Sequence, residues 1–431
     1  MDISIKNTVR RLDYLQEVSP FIGKPFIKVL SGVRRCGKSS ILSLLRDELI
    51  AQGAEAARIV FINFESFAFS TLKTAEDLYR YIVERVQPKQ RVYLLFDEIQ
   101  EVEGWEKCIN SFLVDFDADI YITGSNARLL SSELATYLAG RYIEIPIYTL
   151  SFAEYLQFQK CYFPQRNITQ RDAFSAYLRK GGFPVIHTAD YGEQEAYKIV
   201  SDIYASVLLR DTIQRFNIRD IELLERVVKY TFDNIGNSFS GKNVADYFKN
   251  QKRKLDVNTI YNYLNALEAA FVLYRTSRYD IKGKELLKTQ EKFYLSDVSL
   301  LYAILGYADQ KISGILENIV FLELKRRRYN VYIGKLGTKE IDFIAEKHGA
   351  KLYIQVAYKL ESQETVSREF SPLLEIRDQY PKFVVTMDEF WQENVEGVRH
   401  FYIADFLLSK EYCMEKNYFV HDSSYVDEGA E

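Results

Sequence analysis

The chain has 431 residues, enough for two or three domains rather than a single core. Hydrophobic residues make up 47% and charged residues 27%, the balance of a globular chain, and no apolar run reaches the roughly eighteen residues needed to span a membrane. The formal net charge of −4 supplies no general attraction to nucleic acid or to an anionic membrane, so any such binding has to come from a local patch.

The first residues, Met1-Asp2-Ile3-Ser4-Ile5-Lys6, lack the basic-then-apolar pattern of an export signal. Cys36, Cys108, Cys161 and Cys413 are scattered without metal-ligand spacing, as expected for reduced thiols in a cytoplasmic protein.

Phe26–Leu30 is a short apolar run suited to a buried strand. It leads into Gly32-Val33-Arg34-Arg35-Cys36-Gly37-Lys38-Ser39, which reads G-x-x-x-x-G-K-S, and a helical pattern follows with Ile41, Leu42, Leu44 and Leu45. Glycines in this order let backbone N–H groups wrap around phosphates, and a helix N-terminus adds positive potential. The expected cradle for ATP is Gly32, Arg34, Arg35, Cys36, Gly37, Lys38, Ser39 and Ser40. Lys38 would reach the β and γ phosphates, and the Ser39 hydroxyl would hold Mg²⁺. The plain alternative is a chance glycine-rich turn, which the strand before and the helix after argue against.

A second strand is expected at Arg58–Phe64. A third, Val92–Phe96, ends in Asp97-Glu98. An apolar strand closing on paired acids is the Walker B arrangement, with Asp97 in the Mg²⁺ shell and Glu98 orienting the attacking water. Taken alone, the two acids would equally suit a helix cap. A fourth strand, Asp119–Thr123, runs into Gly124-Ser125-Asn126, where Ser125 and Asn126 are placed to meet the γ phosphate or the water. A simple turn is the alternative there.

These strings resemble a prokaryotic family of AAA-type ATPases with a C-terminal domain of unknown function. The resemblance rests on the Gly32–Ser39 loop, on Asp97-Glu98-Ile99-Gln100 with Gly104-Trp105-Glu106, and on Ile122–Ser131. It continues through Leu134–Tyr142, Leu150–Tyr155 and Tyr177–Pro184. It implies Mg-dependent ATP hydrolysis, a sensor role for the residues at 125–126, and an arginine that stabilises the transition state, often supplied by a neighbouring subunit. Arg141 and Arg128 are the candidates, with an ordinary surface salt bridge as the alternative for each. A homo-oligomer is thereby possible. The Gly181-Gly182-Phe183-Pro184 turn resembles a glycine–proline motif of related signalling ATPases that packs near the nucleotide, which makes Pro184 a candidate contact.

From Ser151 to about Phe232 the apolar spacing is helical, as in Leu223, Leu224, Val227 and Val228, and suggests a lid and connector. About Ser238 to Lys292 reads as a winged helix-turn-helix. Its first helix would carry Val244 and Phe248, and its second Ile260, Leu264 and Leu267. A polar face holds Asn258, Thr259, Tyr261, Asn262 and Asn265. A basic stretch, Gln251-Lys252-Arg253-Lys254, lies between the helices. Arg275, Arg278, Lys282, Lys284, Lys288 and Lys292 lie on or beside the expected wing and would meet the phosphates of double-stranded DNA. The alternative is a winged helix used for protein packing.

Beyond it, a helix around Leu316–Leu324, strands at 331–333, 340–344 and 352–356, a helix at 364–376 and a strand at 383–385 resemble the restriction-endonuclease-like fold of the PD-(D/E)xK superfamily. That resemblance implies metal ligands at Glu317, Asp342 and Gln355. Ala357 stands where the superfamily has lysine, which argues for a degenerate site. Lys359 is two residues further along and faces the same way on a strand.

The expected architecture is α/β in five parts. Residues 1–150 form a P-loop NTPase core with a parallel sheet, 151–232 a helical lid, 233–300 a winged helix, 301–410 a restriction-endonuclease-like domain, and 411–431 a tail. The expected function is a DNA-associated ATP-driven switch or motor. The alternatives are a signalling or scaffold ATPase with a protein partner, or an ATP-gated nuclease.

Overall fold

A computed structural model describes residues 9–87, 90–127, 140–250, 256–306 and 311–410. Arg128, the basic stretch 251–254 and the tail 411–431 lie outside the described residues, as does the side chain of Lys288.

The N-terminal sheet has five parallel strands in the order β2-β3-β4-β1-β5. They are β1 (Ile27–Ser31), β2 (Ile59–Asn63), β3 (Val92–Asp97), β4 (Ala118–Gly124) and β5 (Tyr142–Pro146). The strands read as near-continuous apolar runs because helices cover both faces of a parallel sheet. The strand β4 pairs with both β1 and β3, so the ends of β1, β3 and β4 lie side by side. Helix α1 (Leu12–Val18) precedes the sheet, and α2 (Lys38–Ala51), α3 (Ala75–Val83) and α4 (Trp105–Asp115) connect its strands. One face packs Val29, Leu94, Phe96, Ile120 and Ile122 against α3 and α4. The face beneath α2 belongs to a single apolar core that continues through the helical region to the C-terminal sheet, from Leu30 and Ile145 by way of Phe152, Tyr177 and Leu224 to Phe293 and Phe343.

The helical region comprises α5 (Phe152–Tyr162), α6 (Gln170–Lys180), α7 (Glu193–Ser206) and α8 (Ile221–Asp233). Between α7 and α8 the chain widens into a π-helical stretch, Val207–Gln214. Then come α9 (Gly241–Asn250), α10 (Val257–Ala269) and the hairpin β6 (Leu273–Asp280) and β7 (Glu285–Leu295).

The expected boundary at 300 meets a different arrangement. The hairpin is not a separate wing, because β6 pairs in parallel with β8 (Asn330–Leu336). The hairpin thereby becomes the end of an eight-stranded sheet in the order β12-β13-β11-β10-β9-β8-β6-β7. Its other strands are β9 (Lys339–Lys347), β10 (Ala350–Val356), β11 (Lys382–Thr386), β12 (Asn394–Val395) and β13 (Val398–Tyr402). Helices α11 (Ser299–Leu305), α12 (Ile312–Arg326), α13 (Gln363–Leu374) and α14 (Ile403–Leu408) accompany it. Pairing β6 with β8 satisfies backbone groups that a free edge would leave open.

Among the described residues no helix is long and apolar enough to cross a membrane.

Candidate active site

The loop between β1 and α2 is shaped by its glycines. Gly32 has φ +149°, and a Cβ there would stand 2.1 Å from the Ile147 carbonyl oxygen. Gly37 sits at φ +107°, a left-handed conformation suited to glycine, directly before the first turn of α2. A Cβ on Gly37 would come within 3.3 Å of Arg11 Nη1 and 3.7 Å of Pro184 Cγ, so Arg11 and Pro184 both pack against the loop.

Lys38 is 3% exposed and donates from Nζ to the carbonyl oxygens of Gly32 at 3.0 Å and Val33 at 3.2 Å. Its Nζ also lies 3.7 Å from Glu98 Oε1. Burial alone would lower the Lys38 pKa, but the carboxylates of Glu98 and Asp97 and the Cys36 sulfur raise it above the ordinary lysine value. Glu98 shows the complementary shift. Burial pushes it up, yet Lys38, the donating Gln100 amide, Arg34 and the Ser125 hydroxyl outweigh burial and hold it below the usual carboxylate range. Glu98 is therefore ionised at neutral pH although only 6% exposed.

Asp97 closes β3 beside the end of β4. Its Oδ1 accepts from Thr123 Oγ1 at 2.6 Å, and its Oδ2 accepts from Asn63 Nδ2 at 3.0 Å. The Thr123 hydroxyl in turn accepts the Glu98 N–H at 2.9 Å, which locks the left-handed turn at Glu98 (φ 56°). Burial raises the Asp97 pKa, against the hydrogen bonds from Thr123 and Ser39. Ser39 and Asp97 are thus neighbours. Ser125 and Asn126 are fully buried at the end of β4, while Arg35 and Ser40 face solvent.

This site fits a Mg²⁺–nucleotide. A buried acid and a serine hydroxyl adjoin a lysine that donates to loop carbonyls and faces a second acid, at the N-terminus of α2.

Arg141 is placed elsewhere. It is exposed at the start of β5, and its carbonyl accepts from Ile27 N–H at 2.9 Å. Because β1 and β5 run in parallel with Ser31 opposite Pro146, Arg141 is at the far end of the sheet from the loop. Five strand residues put it roughly 16 Å away, so it does not serve the phosphate site of its own chain.

Other residues at the site had no sequence signal. Arg11 is buried, with Nε donating to Glu154 Oε1 at 2.6 Å, Nη1 to the Cys36 carbonyl at 2.9 Å, and Nη2 to Glu154 Oε2 and the Tyr148 carbonyl, both at 2.9 Å. Glu154 is also half of a capping box with Ser151. From the helical region, the π-helical stretch brings Asp211 to the site. Its carboxylate is 4% exposed, lies 4.0 Å from Arg34 Nη1, and keeps one oxygen, Oδ2, without a hydrogen bond. Arg34 also pairs with Glu65, which Arg210 approaches at 3.3 Å. π-helical turns are recurrent at functional sites, but their sequence signature is weak.

The expected second metal site is differently occupied. Lys292 from β7 is 3% exposed and places Nζ 3.3 Å from Glu317 Oε2, 2.9 Å from Glu340 Oε1 and 3.8 Å from Asp342 Oδ1. Gln355 is turned to the backbone, its Oε1 accepting from Asp342 N–H at 3.2 Å. Lys359 extends to solvent and pairs with Glu361 at 3.2 Å. Among the described residues no group of three or more His, Cys, Asp or Glu is arranged to hold a metal ion. Burial and the neighbouring Asp342 push the Glu317 carboxyl up to about 8, against the pull of Lys292, and burial lifts Asp342 to about 6. A folded-state pKa above the unfolded value of 4.5 means the native state binds this proton more tightly. Stability from Glu317 is then lost as pH rises from about 4.5 through about 8. Thermal melts from pH 5 to pH 9 are expected to show this decline in the wild type and a flatter profile in Glu317→Gln. Parallel profiles would contradict it.

Comparison with known proteins agrees with this geometry. A family model described as an AAA domain matches residues 24–156, and a domain of unknown function matches 171–311. An uncharacterised protein of Haemophilus influenzae is 41% identical over 404 residues, covering 94% of this chain and 99% of the relative. The chain belongs to this family of AAA-domain proteins. A second member, protein MJ1544 of Methanocaldococcus jannaschii, is 31% identical over 343 residues, covering 78% of this chain and 75% of its own. Among solved structures, a Walker-type ATPase of Pyrococcus abyssi aligns over 70% of this chain and 98% of its own, at 14% identity and a TM-score of 0.48. DnaA of Aquifex aeolicus bound to AMPPCP aligns over 61% and 89%, at 15% identity and a TM-score of 0.30. The AAA domain so matched contains every residue of the Gly32–Ser39 loop and the acids Asp97 and Glu98. The second match, 171–311, runs from the helical region through the hairpin and so crosses the expected boundary at 232.

Proposed function

We propose that the protein is a Mg²⁺-dependent ATPase that works as an ATP-driven switch on DNA. The observation that carries the ATPase reading is the buried Lys38–Glu98 pair, set beside Asp97 and Thr123 at the ends of β1, β3 and β4. In this reading Lys38 and the loop amides hold the phosphates, while Ser39 and Asp97 hold the Mg²⁺, which supplies charge neutralisation at the transferring phosphoryl group. Glu98 orients the attacking water, and Ser125 and Asn126 face the γ phosphate. Arg141 can act only on the nucleotide of a second copy of the chain, in a homo-oligomer.

The switch reading is supported by the contacts that join this site to the C-terminal sheet. Pro184 backs Gly37, and two residues earlier the Gly182 N–H donates to Asp297 Oδ2 at 2.8 Å, just beyond β7. Arg326 of α12 donates to the carbonyls of Thr149 and Leu150, each at 3.2 Å. Rearrangement of the loop on nucleotide binding therefore pulls on the element that carries the hairpin.

A second reading, a scaffold ATPase with a protein partner, is favoured by the fate of the hairpin cations. Arg275 is engaged by Glu268 at 2.6 Å and Asn265 at 2.7 Å, Arg278 by Glu340 at 2.6 Å, and Lys292 is internal. Only Lys282 and Lys284 of the described hairpin cations remain exposed. A nuclease is disfavoured because the Lys292 ammonium already sits among Glu317, Glu340 and Asp342, where a metal ion would have to bind.

Steady-state ATP hydrolysis measured with and without DNA, at two salt concentrations, separates the readings. Salt-sensitive stimulation by DNA is expected. Intact basal hydrolysis that ignores DNA would favour the protein-partner reading.

A further inference from the structure

The exposed hairpin lysines do not face open solvent alone. The turn between β6 and β7 leans over the start of β10 and the segment that follows α13, leaving a groove of about 780 Å³. Lys282 and Lys284 of the turn, Lys351 of β10 and Arg377 all line it. Among the described residues none of these four cations has a carboxylate within salt-bridge distance, whereas the hairpin cations Arg275 and Arg278 are paired. Two acids also line the groove, and lysines outside it satisfy both. Glu375 accepts from Lys339 Nζ at 2.6 Å, and Asp378 pairs with Lys382 at 3.1 Å while accepting from Tyr353 OH at 2.7 Å. A chain of net charge −4 therefore keeps a concentrated positive groove.

The walls of the groove identify its ligand further. Its lining also includes the aliphatic side chains of Ile281, Leu336 and Ile376 and the rings of Tyr279, Tyr353 and Tyr380. Lys351 Nζ lies 4.9 Å over the Tyr279 ring, which holds that cation at the groove. Cations contributed by three separate segments, with aromatic rings between them, suit a chain of phosphates carrying flat bases. A duplex turns its bases inward and its phosphates outward on a convex surface, so it would have no use for the aromatic and apolar lining.

We propose that this groove binds a single strand of nucleic acid, with its phosphates on Lys282, Lys284, Lys351 and Arg377 and its bases against the tyrosine and aliphatic side chains of the lining. The proposal rests on the nucleic-acid reading above and narrows it to a place and a strand form. The groove lies beside the face of the sheet covered by α13, away from the Lys292–Glu317 cluster packed on α12.

The test is fluorescence anisotropy of a labelled twenty-nucleotide single strand and of the matching duplex, titrated with the full-length protein at several salt concentrations. The single strand is expected to bind more tightly than the duplex, with the logarithm of the affinity falling by about 0.7 per neutralised phosphate for each logarithm of salt. The triple variant K282E/K284E/R377E is expected to lose at least tenfold in affinity, with a shallower salt slope and unchanged basal ATP hydrolysis. The milder Lys351→Gln is expected to reduce the slope by about one phosphate contact's worth, about 0.7. Single-strand binding that survives these changes would overturn the groove while leaving the nucleic-acid reading intact. Duplex binding with no single-strand binding would do the same. A wild-type protein that binds neither would overturn both.

Discussion

Glu98→Gln is expected to bind MgATP at least as tightly as the wild type and to turn it over about 10²–10⁴-fold more slowly, the usual contribution of a positioned acid–base group. The direction of the binding effect follows from charge. Glu98 is an ionised carboxylate held beside Lys38, Arg34 and the donating Gln100 amide. It repels the phosphates that Lys38 attracts, and glutamine removes that repulsion at nearly constant shape. The rate falls because an amide cannot take on the proton of the attacking water. The left-handed turn and the Thr123 hydrogen bond involve the backbone of residue 98, so the substitution leaves them in place. Titration with a fluorescent ATP analogue together with phosphate release measures both effects. Wild-type turnover in the variant would remove Glu98 from its assigned role.

The largest effect on stability is expected from Arg11→Ala. The guanidinium is the partner of Glu154, bridges to the Cys36 carbonyl of the phosphate loop, and reaches the Tyr148 carbonyl beyond β5. Burial would raise the Glu154 pKa, but Arg11 and the Ser151 amide hold it down. Removing Arg11 leaves Glu154 as an uncompensated buried charge, a change that costs about 3–5 kcal/mol. It also frees the loop at Cys36, so the apparent affinity for ATP should fall as well. Lysine keeps the charge but not the planar fork, and should recover only part of the loss. Chemical denaturation of the three proteins gives the comparison. A loss below about 1 kcal/mol for alanine would show that Arg11 is a peripheral contact, like an exposed pair.

The Gly32–Ser39 loop is legible because its signature is local. The glycines, Lys38 and Ser39 lie within eight consecutive residues, and the acids Asp97-Glu98 end a strand whose apolar run announces it. Ser125 and Asn126 follow from the same rule at the end of β4. The residues without a sequence signal act at long range. Arg11 meets Glu154 across 143 residues, and Asp211 reaches Arg34 from a π-helical stretch whose sequence, Val207–Gln214, looks like an ordinary amphipathic helix. Arg141 is a candidate through the family resemblance, but the parallel pairing of β1 with β5 sets it at the opposite end of the sheet.

The hairpin shows the same limit. Its arginines and lysines suggest a free, basic wing. Only the three-dimensional pairing of Arg278, Tyr279 and Asp280 with Ile333, Gly334 and Lys335 joins it to the C-terminal sheet, and only the packing of α12 turns Lys292 inward to Glu317. The ααβ-hairpin order and the helix–strand order beyond it were legible from period and breakers. Which cations stay free is a property of the assembled sheet.

Lys38 and the loop around it are proposed to bind and turn over MgATP. The most direct measurement is steady-state phosphate release from ATP by the wild type and by Lys38→Ala side by side, each with Mg²⁺ and with Mg²⁺ chelated. Release by the wild type only when Mg²⁺ is present, and loss of both nucleotide binding and release in the variant, are the expected results. Equal release by the two proteins, or release indifferent to Mg²⁺, would contradict the proposal.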